Sequence, residues 1–197
     1  MSVATKPEAA RPSRRAAARP ALHLRDVHKS LAAGNASCSA RVRVLCGASL
    51  DVATGELVVI AGDPGSGKSV LLLCAAGLMR PDAGSVLWNG GAREATRRLY
   101  CRAEDLATIA RRSRGAAARL CLVLVDEADG MCGGPALTAI ATLRERGAAV
   151  VIGARDPIPF APAEARVFAL HDGRLAVAPA APAAHRVAHV AERRALR

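Results

Sequence analysis

The sequence predicts an α/β fold, a mostly parallel sheet flanked by helices, with an antiparallel β region on its N-terminal side. Three observations predict it. The runs Leu120-Cys121-Leu122-Val123-Leu124-Val125 and Ala148-Ala149-Val150-Val151-Ile152 are continuously apolar, which suits strands buried on both faces. Helical spacing of apolar residues separates those runs. Short alternating segments closed by turns occupy the first quarter of the chain, before the first buried strand.

Taken in order, residues 1–20 carry arginines from Arg11 to Arg19 with no apolar stretch behind them, so they read as an unstructured basic tail rather than a secretory signal. Leu22-His23-Leu24-Arg25-Asp26-Val27 alternates like a strand with one buried face, and Leu31 to Ala40 reads as a small-residue loop. Val42 to Leu45 and Ala48 to Val52 are expected as two short strands. Thr54-Gly55 then turns the chain into a strand from Glu56 to Ala61. A helix is expected from Gly67 to Met79, ended by Pro81, which disfavours helix in the residue before it. Ser85 to Trp88 is a short strand closed by Asn89-Gly90-Gly91. Residues 92–118 are rich in arginine and alanine, with a helix over Asp105 to Arg114, where Leu106, Ile109 and Ala110 share a face.

After the Leu120 strand, Pro135 to Arg146 is helical with Leu137, Ile140, Ala141 and Leu143 turned inward, and Gly147 stands where a C-cap belongs. Arg166 to Leu170, the turn Asp172-Gly173 and Arg174 to Val177 form a closing hairpin. Beyond Pro179 the chain is Ala/Pro-rich and then basic, a tail or a weak helix. One domain over residues 21–178, between tails 1–20 and 179–197, is the expected organisation of the 197 residues.

A formal charge of +11 raises nucleic acid or an anionic surface as a partner. The chain has only three lysines among its basic residues and is alanine-rich throughout, so this charge reflects composition bias as much as a binding face. Cysteines at 38, 46, 74, 101, 121 and 132 show neither C-x-x-C pairing nor zinc spacing and read as small apolar residues of a reducing compartment. His185 and His189 are spaced i, i+4 with no carboxylate or thiol nearby in sequence, and read as a solvated helix face. The longest apolar run, Val70 to Met79, is about half of the ~20 residues that a membrane-spanning helix needs.

Gly62-Asp63-Pro64-Gly65-Ser66-Gly67-Lys68-Ser69 fits G-x-x-x-x-G-K-[ST] and lies between a strand and the helix opened by Val70. The glycines let successive N–H groups turn inward around a polyphosphate. Lys68 would reach the β- and γ-phosphates, Ser69 would give its hydroxyl to Mg²⁺, and the helix N-terminus would face the same anion. Asp126, closing the Leu120 strand, is placed to hold Mg²⁺ through water, and Glu127 to polarise the attacking water. A polyphosphate and Mg²⁺ are therefore the expected ligands of a P-loop NTPase-type fold.

From Leu22 to Leu175 the chain resembles the ATP-binding subunits of ABC transporters. The landmarks are Leu45-Cys46-Gly47-Ala48-Ser49-Leu50 and Gly55-Glu56 before the loop, Gly77 to Gly84 after it, Asp126-Glu127, and Asp172-Gly173-Arg174-Leu175. The resemblance implies nucleotide-driven pairing of two such subunits beneath membrane-spanning partners, at the inner face of the cell membrane. Departures accompany it. Lys68 and Asp126 are 58 positions apart, too few for the family's helical subdomain, so a truncated version is expected over about 92–118. No glutamine loop is found. Counting back from Ile109-Ala110-Arg111 puts the family's LSGGQ signature at Leu99-Tyr100-Cys101-Arg102-Ala103, where only the leucine agrees. Arg155 replaces the switch histidine, as a phosphate sensor or a solvated arginine. Ser30-Leu31 replaces the adenine-stacking aromatic, and Trp88 and Tyr100 are read as packing or surface. The expected function is Mg-ATP binding with weak or partner-dependent hydrolysis. The alternatives are an inactive relic or regulatory module, and a nucleic-acid-associated ATPase.

Overall fold

In the computed structural model, which describes residues 20–33, 40–88, 97–113, 120–131 and 134–178, the chain order is β1 (Pro20–Ala33), β2 (Ala40–Ala53), β3 (Leu57–Ala61), α1 (Lys68–Ala76), β4 (Ala83–Trp88), β5 (Arg98–Arg102), α2 (Leu106–Arg112), β6 (Leu122–Asp126), α3 (Gly134–Glu145), β7 (Ala149–Ala154), β8 (Arg166–His171) and β9 (Arg174–Val177). Uninterrupted apolar runs can bury both strand faces, and they form the centre of the main sheet, ordered β5-β6-β7-β3-β8-β9. Its first five strands are parallel and β9 returns antiparallel. Every residue of β6 and β7 is buried.

Two apolar layers cover this sheet. On one face α1 presents Leu71, Leu72 and Ala75 to Val58, Ile60, Leu122, Leu124 and Val151, together with the inner residues of β1 and β2. On the other, α2 and α3 bring Leu106, Ala110, Ile140 and Leu143 against Val59, Val123, Val125 and Ile152. A second, antiparallel sheet β2-β1-β4 packs over the α1 side, as the N-terminal alternation predicts. It is tied to the main sheet where Cys46 N donates to Gly173 O in the β8–β9 turn, at 2.8 Å.

Several expectations need correction. The loop expected over 31–40 is partly strand: β1 runs to Ala33 and β2 starts at Ala40, with 34–39 outside the described residues. The two short strands expected after it are one, because register shifts between Lys29/Ser30 and Val27/His28 absorb the irregular alternation without ending the pairing. Helix α1 stops at Ala76, ahead of Pro81. Gly77 N donates to Cys74 O and Leu78 N to Leu73 O, and this paired closure satisfies the last carbonyls three residues before the expected end at Met79. In α3 the buried positions are Ala139, Ile140 and Leu143, whereas Ala141 is exposed, because the helix rolls its small Ala139 against the sheet.

The largest correction lies in the middle. Leu99 to Arg102, counted as the signature position, belongs to β5, and the stretch expected as truncated helical subdomain contributes a sheet strand as well as α2. Leu99, Tyr100 and Cys101 pair with Val123, Leu124 and Val125, and burying them against β6 outweighs the helical bias of the surrounding arginines and alanines. Residues 1–19, 89–96, 114–119 and 179–197 lie outside the described residues. With them lie the Asn89-Gly90-Gly91 turn, both tails but for Pro20, His185 and His189. Cys38 and Cys132 are likewise outside. No disulfide joins Cys46, Cys74, Cys101 and Cys121.

Candidate functional site

Parallel sheets gather loops at the C-terminal ends of their strands, and that edge collects the residues singled out from the sequence. β3 ends at Ala61 and the chain turns through Gly62–Gly67 into α1. Gly62 N donates to Ala154 O at 3.2 Å, fastening the loop to the end of β7, and Ser66 N donates to Asp63 O at 3.1 Å. Gly65 and Gly67 have φ of +84° and +103°, a region that costs a side chain free energy but lets neighbouring N–H groups point the same way. At Gly62 space is the limit: a Cβ there would lie 2.6 Å from Leu170 O and 2.8 Å from Ser66 Oγ.

Lys68 opens α1 and folds back, donating from Nζ to Gly62 O at 2.6 Å and Asp63 O at 2.9 Å. The ammonium thus lies across the loop. Asp63, Pro64, Gly65 and Ser69 are exposed, and Val70 is half-buried. Ser66 Oγ is buried with no hydrogen-bond partner. An unpaired buried hydroxyl costs about 1–3 kcal/mol, so it marks a place prepared for another polar group. A glycine cradle with no room for Cβ, an orphaned hydroxyl, a helix N-terminus and a lysine together fit a polyphosphate.

The carboxylate half of the site comes from β6. Asp126 is 4% exposed. Its Oδ1 accepts from Glu127 N at 2.9 Å and its Oδ2 from the Tyr100 hydroxyl at 2.8 Å. Between the strands of loop and carboxylate runs β7, whose Gly153 makes their approach feasible. A Cβ on Gly153 would lie 3.3 Å from Asp126 Oδ1 and 3.6 Å from Lys68 Cβ. No group of three or more His, Cys, Asp or Glu side chains suited to a metal occurs among the described residues. One carboxylate and one serine hydroxyl still suit Mg²⁺, a hard cation that takes the rest of its oxygens from phosphate and water.

Glu127 follows with φ +55° and ψ +43°, a left-handed conformation rare for a residue with a side chain. Its carboxylate is 62% exposed and lies 3.5 Å from Arg102 Nε, beside a cleft of about 420 Å³ lined by Arg102, Glu104, Glu127, Met131 and Pro135. Arg155 ends up at the same sheet edge, exposed, with its backbone N–H on the Asp129 carboxylate. Trp88 belongs to packing, as read: its Nε1 donates to Ala75 O at 2.8 Å, and the Arg98 guanidinium lies 3.8 Å from the ring centroid.

Sequence reasoning missed Tyr100 and Gly153. Burial, with Asp126 as its acceptor and Glu127 nearby, pushes the Tyr100 hydroxyl up to about 12, so it stays protonated and donating near neutral pH. Its only sequence signal is a hydroxyl-bearing aromatic inside the strand-like triplet Leu99-Tyr100-Cys101. Gly153 has a clearer one, being the sole residue without a side chain in an otherwise unbroken apolar run.

A strand, glycine loop and helix at the C-terminal edge of a parallel sheet define the P-loop NTPase-type fold. The chain matches the family model described as ABC transporter over residues 45–123. It is 46% identical over 71 residues to a ribose import ATP-binding protein of Streptomyces coelicolor, covering 36% of this chain and 12% of that protein. To a xylose/arabinose import ATP-binding protein of Sulfolobus acidocaldarius it is 39% identical over 69 residues, 35% of this chain and 24% of the relative. The matched stretch thus spans well under a third of these relatives. In fold it is similar to an ATP-binding cassette solved in its ADP conformation, with a TM-score of 0.61 and 13% identity over 80% of this chain and 89% of the other. A dimeric cassette in a post-hydrolysis state bound to ADP and Pi gives 0.57 and 18%, over 78% and 96%. Over residues 45–123 the chain is thus similar to ABC-transporter ATP-binding proteins, and its fold is that of an ATP-binding cassette. No helix among the described residues is long and apolar enough to cross a membrane.

Proposed function

We propose that this chain binds Mg-ATP through Gly62 to Val70, with Lys68 on the β- and γ-phosphates and Ser69 and Asp126 serving the magnesium ion. Hydrolysis is slow or partner-dependent, with Glu127 as the carboxylate that polarises water. The domain doing this spans residues 21–178, and it serves transport by pairing with a second such subunit beneath membrane-spanning partners at the inner face of the membrane. The observation that carries the reading is the loop itself: no room for a Cβ at Gly62, an orphaned Ser66 hydroxyl, and Lys68 laid across the cradle. When bound, Mg²⁺ would draw charge from the transferred phosphoryl group. Equilibrium titration with ATP, with and without Mg²⁺, tests the proposal. Saturable binding tightened by Mg²⁺ is expected, and no binding at millimolar nucleotide would refute it.

One observation favours a second reading, in which nucleotide binding switches an interface and little is hydrolysed. Glu127 is engaged with Arg102 at the mouth of the cleft rather than held by buried donors. Steady-state phosphate release by Glu127→Gln separates the two: a fall of tenfold or more supports hydrolysis through this carboxylate, and an unchanged rate supports the switch.

A further inference from the structure

The edge strand β5 places one hydroxyl where no sequence motif marks it. Tyr100 stands opposite Leu124 in the parallel register, and its side chain reaches along β6 to Asp126, whose own neighbour across the ladder is Arg102. The Tyr100 ring packs against the core cluster shared by α1 and the main sheet, so the hydroxyl is carried by a side chain fixed at its base. Asp126 is buried, and each of its carboxylate oxygens accepts one protein donor: Glu127 N on Oδ1, Tyr100 Oη on Oδ2. Two donors on opposite oxygens fix rotation about Cβ–Cγ. Each oxygen keeps a second lone pair for another partner.

We propose that Tyr100 is a positioning residue of this site, holding the Asp126 carboxylate in the plane that presents its remaining lone pairs to magnesium or to a magnesium-bound water. The inference rests on the Mg-ATP reading of Asp126. With the phenol gone, the Glu127 backbone N–H is the donor left on the carboxylate among the described residues, and the carboxylate can pivot about that contact. Outer-shell partners of metal ligands change metal affinity by roughly 10–100-fold when removed. A single hydrogen bond to an already half-restrained carboxylate belongs at the lower end, so about tenfold is expected. Tyr100 acts through Asp126 and touches no reacting atom.

The test uses the full chain and a fluorescent ATP analogue, titrated first without divalent ion and then with Mg²⁺ at fixed nucleotide. Tyr100→Phe keeps the ring and removes the hydroxyl. It is expected to raise the Mg²⁺ midpoint about tenfold while leaving the affinity for metal-free nucleotide and the thermal midpoint near those of the parent. An unchanged or lowered Mg²⁺ midpoint overturns the proposal. So does a parallel loss of metal-free binding, which would make the role one of packing. Asp126→Asn runs alongside. If it abolishes the Mg²⁺ dependence while Tyr100→Phe leaves the Mg²⁺ midpoint at the parental value, the positioning role alone falls. If Asp126→Asn leaves the dependence intact, the magnesium assignment of Asp126 falls and takes Tyr100 with it.

Discussion

Gly62 and Gly65 are both glycines of the same loop, yet the structure requires them for different reasons, and alanine substitutions separate the two. A Cβ at Gly62 meets Leu170 O at 2.6 Å and Ser66 Oγ at 2.8 Å. Ordinary contact begins near 3.4 Å, so the carbonyl overlap is short by about 0.8 Å. The Ser66 hydroxyl can rotate aside, but Leu170 is a backbone position in β8, paired across the hairpin with Leu175. The loop must therefore move, at a cost of about 1–3 kcal/mol for overpacking. At Gly65 nothing lies within 4 Å and the only penalty is φ +84°, about 1–2 kcal/mol for a side chain in left-handed backbone. Urea unfolding without nucleotide, followed by ATP titration, distinguishes them. Gly62→Ala is expected to lose up to about 3 kcal/mol and to bind ATP at least tenfold more weakly, because the displaced loop loses its aligned N–H groups. Gly65→Ala is expected to lose less stability. Parental stability and parental ATP affinity in Gly62→Ala would refute the cradle geometry.

Two further outcomes are expected. Gly153→Ala should cost about 1 kcal/mol in urea unfolding, since Leu72 Cδ1 at 3.0 Å can turn away, but Asp126 Oδ1 at 3.3 Å must shift; weakened Mg²⁺ dependence of ATP binding with near-parental metal-free binding would show it. Desolvation raises the Asp51 carboxyl, but hydrogen bonds from His23 and Arg25 more than offset this and hold it below the usual carboxylate range. A lowered folded-state value contributes stability above the unfolded value of about 3.9 that is lost as pH falls through the folded one. Asp51→Asn should therefore be less stable than the parent at pH 7, by under about 1 kcal/mol for so exposed a pair, and the difference should close on acidification below pH 4. A difference that grows in acid would contradict the sign.

The glycine loop between β3 and α1 was legible because it is local: three glycines and a lysine over eight residues specify backbone geometry without distant partners. The buried strands β6 and β7, the Gly147 helix end and the Asp172-Gly173 hairpin were legible for similar reasons, each announced by apolar continuity or by a turn residue. Strand β5 was not. Its ladder partners lie 24 positions on in β6, and arginines at both ends disguise a three-residue apolar centre. Once that strand was read as a shifted signature segment, Tyr100 had no route to Asp126, and the carboxylate's second donor stayed hidden. The end of α1 was misplaced for a local reason: Pro81 was given the role that Gly77 fills with two backbone hydrogen bonds. Bulges in β1 and β2 blurred the alternation on which their lengths depended.

Nucleotide titration of Lys68→Ala against the parent, with thermal melting to confirm folding, bears most directly on the site. Losing a charge-assisted hydrogen bond from the Lys68 ammonium to phosphate would be worth about 2 kcal/mol, so ATP affinity is expected to fall about 30-fold while the fold is retained. Equal affinity in a folded Lys68→Ala protein would contradict phosphate binding at residues 62–69.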